Sequence, residues 1–71
     1  MTRRFTVSAD FSGYANGSGS SATFEVTRNT DGEFFAGLIS GSTDDGFELD
    51  VLEGEAIEEA RAWFARKEQA A

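Results

Sequence analysis

Ten acidic side chains crowd residues 31 to 59: Asp31, Glu33, Asp44, Asp45, Glu48, Asp50, Glu53, Glu55, Glu58 and Glu59. No lysine or arginine interrupts the chain between Arg28 and Arg61. Carboxylates at this density suggest three kinds of chemistry: acid–base catalysis, calcium binding, and imitation of a phosphate backbone. Catalysis is the hardest to build. Two carboxylates divide acid and base roles only where their surroundings push their pKa values apart, and the sequence offers no apolar pocket to do so. Histidine and cysteine, which supply most general bases and activated nucleophiles, are absent, Lys67 is the only lysine, and Tyr14 is the only tyrosine. No catalytic residue is assigned, and the chain is expected not to be an enzyme.

Calcium fares no better. An EF-hand loop needs a glycine at its sixth position and a glutamate at its twelfth. With Gly46 as the sixth residue the twelfth is Leu52, and with Gly32 it is Leu38. A zinc site of the usual kind would need cysteine or histidine ligands. No metal and no cofactor is therefore expected.

The third chemistry is recognition. The pattern predicts Glu48 and Asp50 on one outward strand face, where alternate residues stand about 6.6 Å apart. DNA carries one charge per ~3.4 Å of axis on each strand, so such a row roughly imitates a line of phosphates. Glu53, Glu55, Glu58 and Glu59 at a helix start, Asp44 and Asp45 in a turn, and Asp31 and Glu33 upstream would extend the surface. Like charges oppose folding, although salt screens much of that beyond about 8–10 Å.

The elements that must carry these acids follow from hydrophobic period. RFTVSADF and ATFEVTR alternate apolar and polar residues, the mark of half-buried strands. SGYANGSGSS between them reads as a flexible connection, and NTDG as a turn into EFFAGLIS, a strand paired with its predecessor. There Phe34, Ala36 and Leu38 form one set and Phe35, Gly37 and Ile39 the other, so one apolar set must face away from the core. Phe35 and Ile39 thus form a candidate apolar interface, and a homodimer or partner contact there stands level with burial under the glycine-rich loop. FELDVL alternates again, and from Gly54 the period becomes helical, with Ile57, Ala60 and Phe64 on one stripe. The expected fold is a single α+β domain over residues 1–71. Four antiparallel strands near 3–11, 21–28, 33–40 and 47–52 carry a C-terminal helix near 54–68 on one face. Phe5, Val7, Phe24, Val26, Leu38, Phe47, Leu49, Val51, Ile57 and Phe64 are the expected core.

Size and charge narrow the functional classes. A chain of 71 residues buries only about 60% of its unfolded surface, and without cysteine it has no disulfides to compensate. The net charge of −7 argues against direct binding to nucleic acid, whose partners present basic surfaces. MTRRFTVSADF has no apolar run behind its arginines, so neither a signal peptide nor a membrane span is expected, and a cytoplasmic location follows.

With Glu48 and Asp50 on an exposed face inside that acidic window, the chain resembles the small acidic anti-CRISPR proteins of phages. The nearest in build are the DNA mimics acting on type I CRISPR surveillance complexes. The resemblance covers the whole chain in size and charge. It implies a non-enzymatic inhibitor that occupies a basic DNA-binding groove in the host cytoplasm. That family has no diagnostic motif, so no residue role is carried over. A second resemblance comes from strands followed by GEAIEEARAWF, which is similar to the strand-and-helix domain of HicB-type antitoxins and implies a toxin partner. That family's proline-glycine-cysteine turn has no counterpart in GSTDDGFELDVLEGE. A reading outside both families is a small structural or oligomerising domain whose acids serve solubility.

Overall fold

The computed structural model describes residues 1–13 and 19–70, with the side chains of 68–70 excepted. The middle of the glycine-rich connection, including Tyr14, lies outside the described residues. Three strands and one helix follow one another: β1 Thr2–Asp10, β2 Gly19–Arg28, β3 Phe34–Gly41 and α1 Gly46–Ala70. The class is α+β, as the sequence pattern predicts, with an antiparallel sheet in the order β1-β2-β3.

Register follows the alternation. Phe5 pairs with Phe24, Val7 with Ala22 and Arg3 with Val26, which puts the apolar members of both strands on the face beneath the helix. The outer face is polar between β1 and β2. Thr2 and Thr6 share hydroxyl hydrogen bonds of 2.9 Å with Thr27 and Thr23, and Arg4 approaches Glu25 at 3.7 Å. The β2–β3 turn is built on Asn29, whose Oδ1 accepts from the backbone N–H groups of Asp31 and Glu33 at 3.0 and 3.1 Å. Gly32 takes a φ of 86° there, a left-handed conformation that costs other residues about 1–2 kcal/mol. Phe24 pairs with Leu38 but Thr23 with Ser40, so β3 bulges at Ile39.

The expected fourth strand is not formed. FELDVL is the opening of the helix, which begins at Gly46 rather than Gly54. Asp45 is the reason. Its Oδ1 accepts from the N–H groups of Phe47 and Glu48 at 3.0 and 3.1 Å, and its carbonyl accepts from Leu49 at 2.9 Å. A side chain that satisfies two orphan donors in this way is an N-cap. Thr43 Oγ1 in turn accepts from the Asp45 N–H at 3.1 Å.

Starting the helix eight residues earlier changes the core. Leu52, Ala56, Ala60 and Phe64 recur every fourth residue, all are buried, and they meet Val7, Ala22, Phe24 and Val26 of the sheet. Three of the expected core residues are thereby displaced. Phe47 is 52% exposed, packing edge-on against the buried Phe11 at 6.3 Å between ring centroids, while Val51 and Ile57 are only half-buried. Leu49 packs at the margin with Phe5, Phe34, Ala36 and Trp63. Leu38 shares the inward side of β3 but remains 49% exposed, because the helix lies over β1 and β2 more than over β3.

Candidate functional site: an acidic helix face

The structure places the acids differently from what their spacing suggested. Glu48 and Asp50 do not share a strand face; they lie on the first turns of α1, about 200° apart around its axis at ~100° per residue. Glu48 points back to the sheet and accepts a 2.7 Å hydrogen bond from the buried hydroxyl of Ser20, tying the helix start to the head of β2. Asp45 is engaged as the N-cap. Both carboxylates therefore hold the fold as well as contributing charge.

Asp31 and Glu33 are separated from the rest. They sit in the β2–β3 turn, at the end of the sheet where Phe34 meets Phe64 at 5.9 Å. Glu48 lies some sixteen residues of helix away, about 24 Å at 1.5 Å per residue. The ten acids are thus not one patch. Eight of them, residues 44 to 59, collect on the first half of the helix and the loop before it.

Within that half, Glu55 and Glu59 overhang Thr6, Val7 and Ser8 of β1, with Glu58 beside them. Asp50 and Glu53 fall on the opposite flank by the same rotation. Glu58 approaches Arg61 at 3.9 Å across one helical turn, both highly exposed, an arrangement worth little in water. Asp50, Glu53, Glu55 and Glu59 make no hydrogen bond or ion pair among the described residues. Along the axis, Glu48 to Glu59 spans about 16 Å. Neighbours at i,i+3 and i,i+4, such as Glu55 with Glu58 and Glu59, stand ~5–6 Å apart at their Cβ atoms. No group of three or more metal-capable side chains is gathered among the described residues.

The cations lie on the second half of the helix and on the strands beside it, and they adjoin the acidic half, since Glu59 lines one cleft with Arg3, Arg4 and Arg66. Arg3 lies 4.4 Å from the Trp63 ring and Lys67 5.2 Å from it; Arg28 lies 5.5 Å from Phe64 and Arg61 5.2 Å from Phe34. Arg66 lines the same cleft as Arg3 and Trp63. Sequence reasoning missed these cation–aromatic contacts, because they join residues up to about sixty apart in the chain.

The second candidate surface is the outer side of β3. Phe35 is 56% and Ile39 46% exposed, so neither is buried against any described residue of the connection. No helix among the described residues is long and apolar enough to cross a membrane. No family model, no curated protein and no solved structure matches the chain.

Proposed function

We propose that the protein is a non-enzymatic inhibitor that presents the first half of α1 to a basic, DNA-binding groove of a protein complex and keeps DNA out of it. Type I CRISPR surveillance complexes are the proposed target class. One observation carries this reading. Asp50, Glu53 and Glu55 project with no hydrogen bond or ion pair among the described residues, and with Glu59 they stand on a helix segment whose sequence holds no cation, while the six basic residues lie outside it. A surface made only for solubility gains from mixed charge, whereas separation by sign favours an oppositely charged partner. Interfacial charge pairs of this kind couple by about 1.5–7 kcal/mol when close.

Competition is the test. A purified type I surveillance complex is loaded with labelled target DNA and titrated with the protein at rising salt, beside the double variant Glu55→Lys/Glu59→Lys. Displacement by the parent, weakened by salt and reduced at least tenfold in the variant, supports the reading. Circular dichroism first shows that the variant keeps its helix. No displacement by the parent across a panel of such complexes, or equal displacement by the variant, overturns it. A second reading, that of an oligomerising domain, is favoured by the exposed Phe35 and Ile39.

A further inference from the structure

The two edges of the sheet are finished differently. β1 carries Arg3, Arg4 and Asp10, and charged side chains on an edge discourage pairing with another strand. β3 reads FFAGLISG and is the one described element without a charged residue. It has no proline, and its bulge falls only at Ile39, leaving residues 34–38 regular. Nothing among the described residues covers this edge: β3 is the last strand in the order, and α1 sits toward the other side.

The hairpin sets which backbone groups are free. Asn29 donates to the Glu33 carbonyl at 3.0 Å, and antiparallel pairs alternate between bonded and non-bonded positions. Phe35 and Gly37 therefore direct their N–H and C=O groups at Thr27 and Glu25, while those of Phe34, Ala36 and Leu38 point outward from the sheet. Three residues with free donors and acceptors form a template for another strand.

We propose that this edge pairs with the same edge of a second copy, antiparallel about a two-fold axis through Ala36, to give a continuous six-stranded sheet. The sequence is self-complementary about that point. Phe34 falls opposite the partner's Leu38 on the helix side, and Ala36 opposite its own counterpart. That arrangement covers Leu38, which the single chain leaves half exposed. On the outer face Phe35 falls opposite the partner's Gly37, whose missing side chain leaves room for the ring, and diagonal to the partner's Ile39, within aromatic reach. Three bonded positions give six hydrogen bonds, all from the regular stretch before the bulge.

Charge argues for a second copy over a basic partner at this place. An uncharged strand offers a basic surface nothing, and two chains of net charge −7 can approach closely only where neither carries charge. Asp31 and Glu33 flank the paired stretch, so the dimer tightens as salt rises. That is opposite in sign to the salt response of the acidic helix face, which stays exposed in the dimer.

Light scattering on the purified protein over a wide concentration range, at low and high salt, reads the assembly directly, with no nucleic acid or target present. The expected result is a mass twice that of the chain, favoured by salt, and slowed amide exchange at Phe34, Ala36 and Leu38. Phe35→Lys puts a charge on each side of the axis, and Ala36→Pro removes an outward N–H without touching the ladder to β2. Both variants are expected to be monomers whose circular dichroism matches the parent. A parent that stays monomeric to millimolar concentration, or a dimer that Phe35→Lys leaves intact, overturns the proposal.

Discussion

Replacing Leu52 by alanine separates a helix from a strand over residues 47 to 52. In a strand with Phe47, Leu49 and Val51 inward, Leu52 would be peripheral. In the helix Leu52 is fully buried, at 0% exposure, while Phe47 is 52% exposed. Leu52→Ala removes three carbons, about 2.4 kcal/mol of transfer energy at ~0.8 kcal/mol each. The cavity left between Val26, Phe24 and Ala56 raises the cost to about 3–5 kcal/mol. Phe47→Ala loses a half-exposed ring and, among the described residues, its edge contact with Phe11, together about 1–2 kcal/mol. A domain of this length has only ~4–10 kcal/mol in total. Leu52→Ala is therefore expected to lower the melting temperature by more than about 12 °C, at ~4–8 °C per kcal/mol. Urea and thermal unfolding of the parent and both variants, followed by circular dichroism and by the fluorescence of Trp63, measure the difference. If Phe47→Ala costs more than Leu52→Ala, the helical start at Gly46 is wrong.

Two further substitutions report on the same segment. Asp45→Ala removes the N-cap and is expected to cost about 1 kcal/mol with some loss of helical signal at 222 nm; unchanged stability would mean the two hydrogen bonds to its Oδ1 carry nothing. Gly54 lies inside the helix with open space around its Cα, so Gly54→Ala is expected to stabilise by about 0.5–1 kcal/mol, seen as a higher urea midpoint, and a lower midpoint would contradict that placement.

Much of the sheet was readable because its signals were local. Alternation in RFTVSADF and ATFEVTR marks two strands, and the NTDG turn joins the second to the third. The division of β3 into two apolar sets was legible too, although Leu38 of the inward set is as exposed as Ile39 of the outward one. The helix start was hidden by coincidence of period. Phe47, Leu49 and Val51 alternate as a strand does, but Leu49, Leu52 and Ala56 also follow a helical spacing. Asp45 followed three residues later by Glu48 is a helix-start signature that settles the choice. The acidic site was legible in composition but not in arrangement. Asp31 and Glu33 lie only thirteen and eleven residues before Asp44, yet β3 carries the chain back along the sheet between them. That Glu48 bonds Ser20, twenty-eight residues earlier, depends on how the helix seats on the sheet, which no local pattern records.

Arg3, Arg28, Arg61 and Lys67 resting on aromatic rings have a consequence for how the molecule moves before it touches anything. Side chains placed over Trp63, Phe34 and Phe64 stand away from Asp50 and Glu55, and only Arg61 reaches back among the described residues, to Glu58. The molecule therefore has two unlike ends, a dense excess of negative charge where α1 begins and, where it finishes, basic side chains that outnumber Asp31 and Glu33 beside them. In the field of any charged surface such a body feels a torque as well as a pull. Approaching a positive groove, it turns its helix start forward, and fewer collisions are spent in the wrong orientation. Clipping the rings under the arginines would lengthen that search while leaving every carboxylate in place.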